Sequence, residues 1–543
     1  MSSTRTPPAS LFINGRILSK AESGLNGQPT FADSMFLQNG VITAIGPRNE
    51  LAALYQQDGV IAQDLKGQMV LPGFIDGHMH LFLLGQSMQK LSLDHCKTPE
   101  EVVEAIRTYA KANPELPKLL AKGCLPHLTA VGVDVTVLDG IDRRPIFIDS
   151  MDVHSMWCNS AALEELGVAN MPDPVGGKIE RDADGNMTGL LSEGAVVGIA
   201  WPHLAEAASK EERIQTILSA LEAYTASGYT GLVEMAMDEL AWDAILTLYA
   251  QKPSLPMRIT AYWLIKPGPE AECIQQVDRA IELQRKFSRE NSSDLCITGI
   301  KIICDGTIDA CTAALSKPYA IAPSPPPVWT KEQLGPVVKH AASAGLQIAL
   351  HAIGDDAIRT AVNVLEAHTS PGGRHRIEHL ELSSPEDAKR LGDLGITASI
   401  QPVHSDPAIL REWPRLIGSH RCTRAFAYRE FADSGALITL GSDSPTAPWD
   451  PLNNLYIATT RRSARETECE ETVNKHFRLG FCEAVVAATA GAAKSVFAED
   501  RVGTLEPGKI ADFIIVDMEW DAQSLLKAKV KETWYGGKCV WSG

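Results

Sequence analysis

The chain has 543 residues, enough to bury a large core and to form more than one structural unit. Its 45% hydrophobic and 22% charged content is that of a folded globular protein and excludes a disordered or fibrous one. A formal net charge of −17 without a Lys/Arg cluster excludes a nucleic-acid partner, because such binding rests on clustered cations that displace counterions.

The opening stretch 1–10 is polar, and the apolar run 11–18 is broken by Asn14, Gly15 and Arg16, so a signal peptide is not expected. Nowhere does an apolar run reach the roughly 18 residues of a membrane span. The eleven cysteines are odd in number and lack CxxC pairs, which points to reduced, mostly buried thiols in a cytoplasmic protein.

Residues 11–62 alternate short apolar runs with turn signals, among them Asn39-Gly40, a hairpin cue. The C-terminus has the same texture at 511–517 and around Gly536-Gly537. Neither end supplies enough strands for a core, so the two ends are expected to meet in one small β-sandwich. Between them, amphipathic helices end at a Gly that leads into a short apolar strand. The helices fall at 211–227, 330–344, 384–394 and 423–434, with Ser or Thr at the start and Gly at the end as caps. Such alternation predicts an α/β fold with a parallel sheet, and its length favours a (β/α)8 TIM-like barrel.

Eight strands suit the barrel: 73–80, 230–234, 258–264, 299–303, 347–351, 376–379, 397–401 and 437–443. Roughly 150 residues separate the first two, far more than a standard connection, so an insertion is expected there. It opens with a helix carrying a Thr98/Glu101 capping box and Pro99 at its first position, and continues with a strand at 145–149 and a Gly-rich hairpin at 176–189. The expected organisation is an N-terminal contribution to the sandwich at 1–70, the barrel at 71–490 with the insertion at about 95–205, and a C-terminal contribution to the sandwich at 491–543.

The strongest local signal is PGFIDGHMHL at 72–81. Period 2 along a strand turns His78 and His80 to the same side, where both imidazoles can bind one metal ion. A lone core histidine is usually structural, so the other strands decide the matter. His351, His379 and Asp443 each close a predicted strand where it should run out into a loop, on the active-site face of such a barrel. The plain alternative is five unrelated polar residues that happen to end apolar strands. Imidazole and carboxylate suit zinc, while manganese, iron or nickel would also bind. Lys301 sits on the otherwise apolar fourth strand, where a buried amine is costly unless paired or altered. It either pairs with Asp305, on the same side by period 2, or reacts with carbon dioxide to give a carbamate bridging two metals.

Together these motifs resemble the amidohydrolase superfamily: HxH on the first strand, Lys on the fourth, His on the fifth and sixth, Asp on the eighth. The resemblance extends to the subgroup called amidohydrolase family 3, which includes N-substituted formamide deformylases and related amidases. It is carried by 152–163 (DVHSMWCNSAAL), 176–193, KIICDGT, LHAIGD, RIEHLE, SIQPVH, GSDSP and the terminal GTLEPGKIADFIIVD, and covers nearly the whole chain. It implies one or two divalent metals, with His78, His80 and Asp443 holding one, His351 and His379 the other, and carboxylated Lys301 between them. Water made nucleophilic near neutral pH would attack, Asp443 would move its proton to the leaving nitrogen, and His154 and His404 would donate to the developing oxyanion. Glu193 and Cys96 are alternative bridging ligands, and Trp157, Tyr319 and the Pro-rich stretch 322–329 either line the pocket or are ordinary loop anchors.

The expected function is hydrolysis of an amide-type C–N bond in a small molecule, an N-substituted formamide or another N-acyl compound. A deaminase or a cyclic-amide or ester hydrolase of the same superfamily is the second reading, weakened because deaminases show HxxE after the fifth strand and this chain has Gly354 three residues after His351. A non-catalytic assembly protein is the third, and the complete ligand set speaks against it. A homodimer is the commonest assembly for such enzymes.

Overall fold

The computed structural model describes residues 9–543 except 58, 125–134, 152, 175, 253–254 and 371. The polar stretch 1–8 and Asp152 of the DVHSMW motif therefore lie outside the described residues. Eight parallel strands form one sheet: β1 Phe74–Met79, β2 Tyr229–Met237, β3 Arg258–Leu264, β4 Leu295–Ile303, β5 Gln347–Ala352, β6 Arg376–His379, β7 Thr397–Ile400 and β8 Ile438–Leu440. Each pairs with the next in sequence, and all eight match the strands expected from the sequence. β8 returns to β1, where Asp443 N–H donates to His78 O at 2.7 Å and His80 N–H to Ser444 O at 2.9 Å. Glycine permits this closure. A Cβ on Gly77 would lie 2.3 Å from Thr439 Oγ1, and one on Gly441 would lie 2.6 Å from His78 Cβ. Asp76 ties the same seam, accepting from Ser442 N (3.0 Å), Ser442 Oγ (2.6 Å) and Tyr224 OH (2.9 Å).

Helices cover the outside of the barrel, and their apolar faces and the strands form the main core. Three capped helices stand as expected. Lys210–Ala226 starts at Ser209 with a capping box to Glu212, Lys331–Ser343 at Thr330 with one to Gln333, and Pro385–Leu394 runs from Ser384 to Gly395, whose φ is +66°. The fourth expected helix, 423–434, shrinks to Tyr428–Asp433. Phe426, at φ +58°, breaks the chain ahead of it, and Thr423 Oγ donates to His420 O instead of capping.

The two chain ends share a six-stranded sheet, in the order Lys538–Ser542, Lys529–Tyr535, Phe513–Asp517, Met69–Pro72, Arg16–Ala21, Pro29–Ala32. A four-stranded sheet from residues 10–64 packs on it, and its Asn39-Gly40 turn has φ of +56° and +78°. Phe12 from one end meets Phe513 and Trp534 from the other at centroid distances of 5.3 and 5.1 Å, which makes the sandwich core a joint product of both ends.

The insertion builds its own six-stranded sheet from Leu91–Ser92, Leu119–Cys124, Ile146–Ser150, Ser155–Cys158, Met187–Glu193 and Gly177–Arg181, with apolar clusters on both faces. Its helix Pro99–Ala112 is capped by Thr98, which accepts from Glu101 N at 3.3 Å, but the expected capping box is only half made: Glu101 reaches back to Lys97 N at 2.6 Å. Among the described residues none of the eleven cysteines is in a disulfide, and seven are buried. Among the described residues no helix is long and apolar enough to cross a membrane.

Candidate metal centre

At the C-terminal ends of the barrel strands the sequence-expected residues come together around one cavity of about 120 Å3. His78 Nε2 lies 3.2 Å and His80 Nε2 3.1 Å from the same oxygen of Asp443, Oδ1. Neighbouring ligands of a tetrahedral zinc with bonds of about 2.0–2.1 Å stand roughly 3.3 Å apart, so this spacing is that of three donors to one ion. The His351 and His379 rings are 4.4 Å apart by centroid, and His379 is 5.0 Å from His78. Lys301 Nζ lies 3.5 Å from His78 Nε2. His379 Nδ1 is buried without a hydrogen-bond partner among the described residues. A buried nitrogen lone pair of that kind costs free energy unless an electrophile takes it, so the donor set fits a divalent cation.

Local backbone conformation aims two of these groups. His379 has φ +76° and Asp443 φ +54°, left-handed values that non-glycine residues adopt at a cost of about 1–3 kcal/mol. Carboxylates stand behind the rings. His78 Nδ1 donates to Glu378 Oε2 at 2.7 Å, and Glu378 is braced by the fully buried Arg376 at 2.8 Å. Glu234, which accepts from Leu81 N, sits 3.9 Å from His80 Nδ1, and Glu381 3.6 Å from His404 Nδ1. The Glu378 hydrogen bond sets the orientation and tautomer of His78, whereas Glu234 stands beyond hydrogen-bond reach of His80; the strand-end reading passed these carboxylates over because nothing in sequence links residues so far apart.

Burial and neighbours set the charge states. Burial pushes Glu234 up to about 7. It would also raise Asp443, but the His78, His80 and His379 rings outweigh it and hold the carboxyl well below its usual range. His351 and His379 are held far below the usual histidine range, chiefly by burial and then by nearby positive charge. Burial likewise lowers Lys301, with Glu378 and Asp443 opposing. For His404 burial pulls downward, yet the Glu381 hydrogen bond and the Asp443 charge raise it overall.

His404 stands beside this cluster, its Nε2 3.1 Å from Thr446 Oγ1 and 3.6 Å from Asp443 Oδ2; its donor atom, with those of His379 and Glu381, forms a second three-membered group within 4.8 Å. His154 reaches the cavity from the insertion, its ring 6.1 Å from that of His351.

Several alternatives that the sequence left open are decided by the fold. Lys301 does not pair with Asp305, whose oxygens accept backbone N–H groups of Ala314, Ile353 and Gly354 at 3.0, 3.0 and 2.8 Å. Burial outweighs those bonds and lifts Asp305 to about 8. Cys96 and Trp157 are not at the site but in the apolar core of the insertion. Glu193 does not line the cavity, and its oxygens are engaged by His154 and Thr312 rather than turned to the ligand cluster. Tyr319 is a loop anchor, its hydroxyl donating to Ala313 O at 2.9 Å, and none of residues 322–329 lines the cavity.

Comparison with known proteins agrees with this geometry. The profile described as Amidohydrolase family matches residues 62–541. Protein LONG AFTER FAR-RED 3 of Arabidopsis thaliana is 30% identical, over 99% of this chain and 93% of that one. N-substituted formamide deformylase of Arthrobacter pascens is 24% identical, over 90% of each. The crystal structure of an uncharacterized metal-dependent hydrolase from Pyrococcus horikoshii OT3 superposes with a TM-score of 0.74 at 25% identity, covering 94% of this chain and 98% of that one. The chain therefore belongs to the amidohydrolase family and is a metal-dependent hydrolase of that superfamily.

Proposed function

We propose that this hydrolase cleaves an amide-type C–N bond in a small molecule, with N-substituted formamides and other N-acyl compounds as its substrate class. The observation that carries the reading is the convergence of His78 Nε2 and His80 Nε2 on one Asp443 oxygen, ringed by His351, His379 and Lys301 in a single cavity. In this reading His78, His80 and Asp443 hold one cation, His351 and His379 a second, and Lys301 stands between them. Zinc fits imidazole and carboxylate donors best. A divalent cation so held would bring the pKa of water into the neutral range and polarise a carbonyl.

Asp443 takes the proton of the attacking water and returns it to the leaving nitrogen, a task suited to a carboxylate kept ionised by three imidazoles. His404, beside His379, and His154, beside His351, donate hydrogen bonds to the carbonyl oxygen as it becomes negative. Lys301 Nζ has no carboxylate oxygen within 4.0 Å among the described residues, and burial favours its neutral amine. That form adds to the carbon of carbon dioxide and loses a proton, giving an anionic carbamate able to bridge two cations. The similarity to N-substituted formamide deformylase supports the bond type. So does Gly354, three residues after His351, where a deaminase has a proton-moving glutamate.

Elemental analysis of the purified protein, paired with a panel of formamides, N-acyl amino acids, cyclic amides, esters and amino-heterocycles, tests this. Turnover of formamides or linear N-acyl compounds by zinc-containing protein is expected. Release of ammonia from heterocycles, with no linear amide cleaved, would overturn it in favour of a deaminase. Lys301→Ala is expected to halve the metal content, and bicarbonate to speed reconstitution of the parent protein but not of that variant; an unchanged metal count in Lys301→Ala removes the bridge.

A further inference from the structure

Three stretches of the chain are not absorbed by the metal ligands: 152–163, 176–193 and the DGT that ends 301–307. They meet at one chain of hydrogen bonds. His154 Nδ1 donates to Glu193 Oε2 at 2.7 Å, and Thr312 Oγ1 donates to Glu193 Oε1 at 2.6 Å. The Thr312 hydroxyl in turn accepts from Thr307 N at 2.9 Å, which fastens the chain to the loop after β4. Glu193 N–H also donates to His154 O at 2.8 Å, so backbone and side chain hold the same pair.

The local structure is shaped around this contact. Glu193 has φ +50°, a left-handed conformation that an L residue keeps only when its surroundings impose it. Gly306 leaves the space: a Cβ there would lie 2.2 Å from Thr312 Oγ1 and 2.4 Å from Glu193 Oε1. With one Glu193 oxygen on His154 and the other on Thr312, the carboxylate is committed to holding a ring. A carboxylate can only accept, so it keeps the His154 proton on Nδ1 and stabilises the doubly protonated ring, whose Nε2–H lies on the edge remote from Glu193. That ring lines the cavity beside His351.

We propose that Glu193, itself fixed by Thr312, is the positioning residue for His154, so that the insertion supplies the barrel with an imidazole aimed at the carbonyl oxygen of the substrate. The proposal rests on the amide-hydrolase reading above, in which His154 is a catalytic residue.

The test uses the metal-loaded enzyme, the best formamide of the panel as substrate, and methylphosphonate as a tetrahedral anion whose binding is read by calorimetry. Glu193→Gln, nearly isosteric, is expected to lower kcat about 10–100-fold with KM within about twofold, to weaken methylphosphonate about 10-fold, and to keep the metal content. Thr312→Val should give the same pattern at about threefold, and keeps the test valid if Glu193→Gln does not fold. His154→Asn should cost about 10²–10³-fold in kcat, and adding Glu193→Gln to it should change nothing further. Parental kcat and phosphonate affinity in Glu193→Gln, loss of metal from it, or full additivity with His154→Asn would each overturn the proposal. If no amide is cleaved, the bond assignment fails on its own, and the phosphonate measurements still decide the role of Glu193.

Discussion

The barrel rim and the insertion both place histidines at the same cavity, but by different physical means. On the rim the histidine and aspartate ligand candidates sit at or just past the ends of parallel strands, and the strand's direction and parity put them there: His78 on β1 and His80 just past it, His351 on β5, His379 on β6, Asp443 after β8. In the insertion His154 is delivered by the register of antiparallel strands, Ser155 opposite Ser192, and by a carboxylate reached across that register. The rim is thus a property of the barrel as a closed object, whereas the insertion has apolar clusters of its own. A separate core suits a barrel whose chemistry is adapted through its loops.

The rim is most sensitive at Asp443. Asp443→Asn keeps the shape and removes the anion between His78 and His80, and kcat should fall by about 10³–10⁴-fold in steady-state assays; near-parental rates would take Asp443 out of proton transfer. Next in size is Trp157→Ala, which empties the insertion's core at a residue 2% exposed and should cost about 3–5 kcal/mol. Calorimetry should then show the insertion melting first while the barrel keeps its metal. Simultaneous loss of metal would show that rim and insertion are one cooperative unit.

A third test sharpens the rim itself. Burial lifts the folded-state value of Glu234 from 4.5 to about 7, so the folded metal-free protein binds the extra proton between those values. Stability of the metal-free protein should fall as pH rises from about 4.5 to about 7, by on the order of 3 kcal/mol. Glu234→Gln should flatten that slope in urea titrations across the window; an unchanged slope would mean that Glu234 ionises freely. The smallest effect is expected at the seam. Gly77→Ala forces a Cβ against Thr439 and the Leu440 carbonyl and should cost about 1–3 kcal/mol, read as a lower denaturation midpoint.

Much of the fold is legible in the sequence where a residue's role depends on its near neighbours. Apolar runs, Ser/Thr starts and Gly stops mark all eight barrel strands and three helices, because caps and period-2 alternation are local effects. Helix 423–434 fails for the same kind of reason, since a left-handed Phe426 carries no sequence signal. Lys301 stands out as a buried amine, and of its two sequence readings the Asp305 pair is not made: period 2 turns Asp305 toward it, but the chain leaves β4 before that residue and gives its oxygens to backbone N–H groups.

The sequence by itself determined that a series of helix and strand units would build a barrel and that five polar strand ends would share its open face, since each of those statements rests on spacing along a few residues. Tertiary structure alone decided which carboxylates hold the rings: Glu378 for His78, Glu381 beside His404, Glu193 for His154. The His78 and Glu378 side chains are 300 positions apart and the His154 and Glu193 side chains 39, and no local rule relates them. Their meeting follows from barrel closure at Gly77 and Gly441 and from hairpin register in the insertion, which are properties of the packed whole.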